Sequence, residues 1–169
     1  MSDLTGKTAV ITGGNSGMGY ETARKFRELG ANVIITGRNQ EALDKAASEL
    51  GVNAILADQS KLGELDQMVA QVKEQFGKID VLFVNAGIAA FAPLEHVSED
   101  QFDNLMNINF KGAFFTLQKF LPVLNDGASV INLSSINAYT GMPNTAVYAA
   151  SKAALNSLTR TAAYELAPR

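Results

Sequence analysis

Tyr148 and Lys152 stand four residues apart inside 146–166, a stretch of good helix formers. A helix there puts both side chains on one face, one turn apart. A phenol titrates near pH 10, too high for easy proton exchange at neutral pH, at about the value of free tyrosine. An ammonium held beside it favours the phenolate. Such a phenol can protonate a carbonyl oxygen, or remove the proton of an alcohol in the reverse direction. Taken alone, such a pair is more often part of a solvated helix surface. Two hydroxyls, Ser134 and Ser135, follow the apolar run 129–133. A hydroxyl at that point can bond a substrate oxygen, and local chemistry does not separate the two.

A second chemical feature lies near the start. Thr12-Gly13-Gly14-Asn15-Ser16-Gly17-Met18-Gly19 joins an apolar run to a helical one ending near Leu29. Glycines at such a turn let the backbone approach a pyrophosphate, and the free N–H groups of the helix start bind the anion. Without a ligand the same residues make a tight strand-to-helix turn. After the second apolar run comes Thr36-Gly37-Arg38-Asn39. An acidic residue there bonds the ribose 2′-hydroxyl of NAD, whereas an arginine accommodates a 2′-phosphate. With Arg38 and no acid, NADP(H) is favoured over NAD(H).

These residues need a scaffold that brings strand ends together. Residues 8–12, 32–36, 53–57, 81–84 and 129–133 are short and mostly apolar, as strands buried on both faces of a parallel sheet are. Between them, 61–76 places Leu62, Leu65, Met68, Val69, Val72 and Phe76 on one helix face. Ser98, with Gln101 three residues on and Val97 and Phe102 flanking, marks another helix start. The alternation predicts a doubly wound α/β sheet whose ligands bind beyond the carboxyl ends of the strands. Residues 1–169 are read as a single domain.

Composition narrows the field. The chain of 169 residues has a net charge of -3, which gives no electrostatic reason to expect nucleic acid or an anionic membrane as a partner. It has no cysteine, so disulfides and thiol chemistry are excluded. The single histidine, His96, has no ligand cluster around it in the sequence, and no metal is expected. Residues Met1 to Lys7 are polar and no window has the apolar length of a membrane span, so a cytoplasmic location is the expectation.

The spacing T-G-x(3)-G-x-G, followed in order by Asn85-Ala86-Gly87, Asn109, Ser135, Tyr148 and Lys152, resembles the main single-domain branch of the short-chain dehydrogenase/reductase family. That branch includes 3-oxoacyl reductases and glucose dehydrogenases, and the likeness runs over essentially the whole chain. It implies a Rossmann-like sheet of order 3-2-1-4-5 and NAD(P)-dependent interconversion of a carbonyl and an alcohol. Asn109, Ser135, Tyr148 and Lys152 would be catalytic, with Ser135 rather than Ser134 chosen on the family spacing. Gly13, Asn15, Ser16, Gly17, Met18, Gly19, Arg38, Asp58, Asn85, Ala86 and Gly87 would bind the dinucleotide together with Tyr148 and Lys152. In the family, the asparagine matching Asn109 shapes a local helix irregularity; by position alone Asn109 reads as a solvated polar residue.

The resemblance also implies further elements after Arg169: a strand, a helix and a last strand. Their absence predicts an open apolar edge at the fifth strand and exposure of Leu155 and Leu158. Pairing with a chain that carries those elements, or a homo-oligomer, is expected. The alternative function is a module that holds the cofactor without turnover. Residues 140–144 are expected at the substrate entrance.

Overall fold

The computed structural model describes residues 3–169; of the polar segment read from the sequence, Met1 and Ser2 lie outside the described residues. Five strands form one parallel sheet: β1 (Thr8–Thr12), β2 (Asn32–Gly37), β3 (Asn53–Leu56), β4 (Ile79–Val84) and β5 (Leu124–Asn132). Their order is β3-β2-β1-β4-β5, as predicted. Helices α1 (Gly17–Glu28), α2 (Gln40–Leu50) and α3 (Leu62–Phe76) join the first four strands. Between β4 and β5 run α4 (Glu99–Met106), a π-helical segment (Asn107–Gly112) and α5 (Ala113–Phe120). Helix α6 (Ala146–Leu166) follows β5 and matches the predicted span. No helix among the described residues is long and apolar enough to cross a membrane.

Alternation along the strands builds two cores. Val10, Ile34 and Leu82 are paired neighbours on one face, Ile11, Ile35 and Phe83 on the other. The first set packs with Leu65, Met68 and Val72 of α3 and with Leu117 and Phe120 of α5. The second packs with Ala23 of α1 and with Leu43 and Ala46 of α2. Each fully buried Leu, Ile or Phe of this kind contributes about 1.5–3 kcal/mol. Because β2 and β4 flank β1 and their helices cover opposite faces, a crevice opens at the carboxyl ends of β1 and β4.

Strand β5 starts at Leu124, five residues ahead of the predicted Ser129, with the polar Asn125-Asp126-Gly127 included. It forms the sheet edge, as expected. The expectation for Leu155 is corrected: it is buried at 2% exposure in the first core, and Leu158 is partly buried against it. Helix α6 lies over the sheet, so these leucines turn inward while Tyr164 faces solvent.

At the opposite end of the sheet, Asp80 ties three segments together. Its carboxylate accepts from the Thr8 N–H at 2.9 Å, from Lys7 Nζ at 3.1 Å and from Asn125 Nδ2 at 3.1 Å. Burial pushes its pKa up, but these donors outweigh it and the net shift is below the usual 3.8. A lowered folded-state pKa means stability present above 3.8 and lost as pH falls through the folded value. Asp80→Asn is therefore expected to cost about 1–2 kcal/mol at neutral pH, a modest value because Lys7 is solvent-exposed. In denaturant melts the difference from wild type shrinks in acid; a difference that stays constant contradicts the assignment.

Candidate active site

The glycine turn grows directly from β1. Gly13 adopts φ +64°, and a Cβ there would lie 3.0 Å from both Ala86 Cα and Asn85 Nδ2. Only glycine meets both demands. Gly19, in the first turn of α1, packs tighter still: its Cβ would fall 2.3 Å from the Gly13 carbonyl oxygen. The helix start is thus pressed against the turn, with its free N–H groups at the mouth of the crevice.

The turn is clasped to the end of β4. Thr12 Oγ1 accepts from the Asn85 and Ala86 N–H groups, each at 3.0 Å. Asn85 Nδ2 donates back to the Thr12 carbonyl at 2.9 Å and the Gly13 carbonyl at 3.1 Å. The Nδ2 group of Asn85 is therefore spent on holding the two strand ends together. Two residues on, a Cβ at Gly87 would meet Asn109 Oδ1 at 3.2 Å and Lys152 Nζ at 3.5 Å. The Asn85–Gly87 segment consequently runs from the glycine turn to the α6 pair.

Lys152 is buried at 4% exposure, and its Nζ donates to the Leu133 carbonyl at 2.8 Å. Burial lowers its pKa. Nζ also stands 5.9 Å from the centre of the Tyr148 ring, close enough for cation–π attraction. An ammonium in that setting attracts any oxygen that can share a proton or carry negative charge. Phe91 meets the Tyr148 ring edge-to-face with centroids 5.8 Å apart. The 140–144 loop sits beside it: the Asn144 carbonyl accepts from the Ala92 N–H at 3.0 Å, and Asn144 itself adopts φ +66°.

One cleft of about 470 Å³ joins these groups, a size usual for small-molecule sites. The sequence-predicted Gly13, Asn15, Ser16, Met18, Arg38, Asp58, Asn85, Ala86, Gly87, Tyr148 and Lys152 all line it. Gly17 and Gly19 lie outside the lining, in the helix start behind the turn. At the β2 end, a Cβ at Gly37 would lie 2.7 Å from Asn15 Oδ1, so Asn15 occupies the room an acidic residue would need. For Asp58, burial raises the pKa, yet two hydrogen bonds from Ser60 and the nearby charges of Arg38 and Lys61 bring it below 3.8.

Two predicted catalytic residues also stand apart from the lining. Asn109 is 1% exposed rather than solvated, inside the π-helical segment. Its Oδ1 accepts from the Ile88 N–H at 2.8 Å, and its Nδ2 donates to the Ile88 carbonyl at 2.9 Å and to Ser151 Oγ at 3.3 Å. Ser134 lines the cleft, and its Oγ donates to the Lys152 carbonyl at 3.4 Å. Ser135 lies beyond the lining and caps a short 3-10 turn, its Oγ accepting from the Asn137 N–H at 3.2 Å. Thr12 and Gln59 also line the cleft without having been read as site residues. The threonine could have been found, since it opens the glycine motif; nothing in the local pattern marks Gln59.

Comparison with known proteins gives a consistent picture. A family model described as short chain dehydrogenase matches residues 7–169. The oxidoreductase asL5 of Sarocladium schorii is 43% identical over 162 residues, covering 94% of this chain and 65% of the relative. An uncharacterized oxidoreductase of Staphylococcus epidermidis is 33% identical, with 99% of this chain and 74% of the relative covered. The chain thus spans about two thirds to three quarters of the length of these relatives. Among solved structures, a short-chain dehydrogenase/reductase of Brucella melitensis superposes with TM-score 0.96 at 36% identity, covering 99% of this chain and 74% of that one. The RhlG protein of Pseudomonas aeruginosa, described as an NADP active-site complex, gives 0.92 at 32% identity, with 98% and 69% covered.

Proposed function

Because this chain belongs to the short-chain dehydrogenase family, we propose that it interconverts a carbonyl and an alcohol with NADP(H), Tyr148 serving as the proton donor and acceptor. The observation that carries this reading is the buried Lys152 ammonium beside Tyr148, at one end of a cleft whose other end is the glycine turn.

The residues fit a dinucleotide. The turn offers helix N–H groups to a pyrophosphate, and the glycine contacts leave that surface free of side chains. Arg38 at the β2 end supplies a guanidinium suited to a phosphate. Asn15 fills the place of an acid with a neutral amide. The RhlG neighbour, described as an NADP complex, supports NADP(H) as a cofactor that this fold holds. When bound, the nicotinamide supplies or accepts a hydride.

The chain's own residues handle the proton. Tyr148 Oη gives a proton to the substrate oxygen in reduction and takes it back in oxidation. Lys152 Nζ, 5.9 Å from the ring centre, places a positive charge beside the group that transfers the proton. Ser135 Oγ already accepts the Asn137 N–H, so its own hydrogen is the part left to donate to the substrate oxygen. Asn109 holds the Ile88 backbone to Ser151 of α6 and so fixes the helix that carries Tyr148.

The test measures NADPH loss and alcohol formation with a panel of ketones and aldehydes, alongside NADP⁺ and NAD⁺ affinities of wild type and Arg38→Ala. Turnover of at least one carbonyl is expected, with NADP⁺ preferred and that preference reduced about tenfold or more in the variant. Binding without any turnover favours a cofactor-holding module and overturns the enzymatic reading.

A further inference from the structure

We propose that Gln59 is a positioning residue for this reaction, holding the Asn109 turn against the floor of the cleft. The inference rests on the function just given. Gln59 is 6% exposed, and its Nε2 donates to the Ala86 carbonyl at 3.1 Å and the Ile108 carbonyl at 3.0 Å. Those carbonyls belong to segments far apart in sequence, the β4 exit and the π-helical turn. Asn109, next to Ile108, bonds Ile88, two residues beyond Ala86. Two side-chain amides therefore clasp the same two segments side by side.

The π-helical turn explains why a clasp is needed. In a π turn the carbonyls no longer meet the N–H four residues on, and such turns concentrate at functional sites. The Ile108 carbonyl takes the Gln59 N–H as a partner. With both donors directed at carbonyls, Gln59 Oε1 is left buried without a partner among the described residues. A buried acceptor without a partner is unfavourable, so its presence here calls for an offsetting role. Gly112, which closes the π segment, makes room for the arrangement: a Cβ there would lie 2.6 Å from the Gln59 carbonyl oxygen and 2.7 Å from its Cγ.

The chain of contacts then reaches the proton-transferring pair. Asn109 Nδ2 donates to Ser151 Oγ, which donates to the Tyr148 carbonyl at 2.7 Å. Releasing Gln59 loosens Asn109, and with it the placement of Tyr148 relative to the glycine turn.

Gln59→Met keeps size and removes both donors; Gly112→Ala displaces Gln59 from the other side. Each is read by amide hydrogen exchange at Ile88 and at Val10, by NADP⁺ affinity and by kcat. Exchange at Ile88 is expected to speed up about tenfold or more with Val10 unchanged, because the opening is local. In turnover, kcat falls about tenfold or more while NADP⁺ affinity holds. Equal acceleration at Ile88 and Val10 would mean general destabilisation and overturn the proposal, as would no change at Ile88 in both variants. If wild type bound no dinucleotide, the enzymatic reading would fail on that result, and the role of Gln59 in this reaction would fall with it. The exchange contrast would still report separately whether the clasp exists.

Discussion

Tyr148→Phe is expected to lower kcat by about 10²–10⁴-fold, the usual worth of a positioned proton donor, with NADP(H) binding essentially unchanged. The substitution removes one oxygen and keeps the ring that packs edge-on against Phe91. Lys152 keeps its bond to the Leu133 carbonyl. Helix α6 is held by Val147, Ser151 and Leu155, all buried, so the fold has no reason to change. Most of the residues proposed to bind the dinucleotide lie on the glycine turn and the strand ends, and the ring of Tyr148 is kept. A combined measurement of kcat and nucleotide affinity separates the two effects. Turnover near the wild-type rate would remove Tyr148 from the proton path.

The second large effect lies at the other end of the cleft. Gly19→Ala introduces a methyl 2.3 Å from the Gly13 carbonyl oxygen and 2.6 Å from Asn85 Nδ2. The first is backbone, which cannot rotate away, and the second is the amide that clasps the turn to β4. Overpacking of this kind costs about 1–3 kcal/mol. The displaced turn is expected to weaken NADP(H) binding about tenfold or more, since the N–H groups proposed to hold the pyrophosphate move with it. Gly63→Ala is the control, because that glycine is in α3 with open space around its Cβ position. It is expected to leave both binding and stability close to wild type, since a methyl there meets open space. Equal behaviour of the two variants in thermal melts and nucleotide titrations would contradict the packing argument.

Much of the scaffold was readable because parallel strands buried on both faces appear as continuous apolar runs. The runs at 8–12 and 32–36 became β1 and all but the last residue of β2. The start of β5 was hidden because Asn125, Asp126 and Gly127 are poor strand formers, held here at the sheet edge. Helical periodicity alone placed Tyr148 and Lys152 together, and the fold then buried the lysine. Periodicity failed for Asn109, which looks like a solvent-facing residue until a π-helical turn rotates it inward. Leu155 reads as exposed in the sequence because the sheet face that α6 covers leaves no local pattern there. Gln59 left no trace in the sequence, since its partners lie 27 and 49 residues away and are backbone carbonyls. Residues that act through main-chain atoms of distant segments carry no side-chain pattern to read.

The central claim is that one cleft, running from the glycine turn to Tyr148 and Lys152, holds a nicotinamide dinucleotide. Titration of the 169-residue chain with NADPH, followed by nucleotide fluorescence and calorimetry, addresses it directly. Saturable one-to-one binding is expected, retained in Tyr148→Phe and weakened in Gly19→Ala. A folded chain that binds no NADPH or NADH at millimolar concentration, or binds them equally well in both variants, would contradict the account.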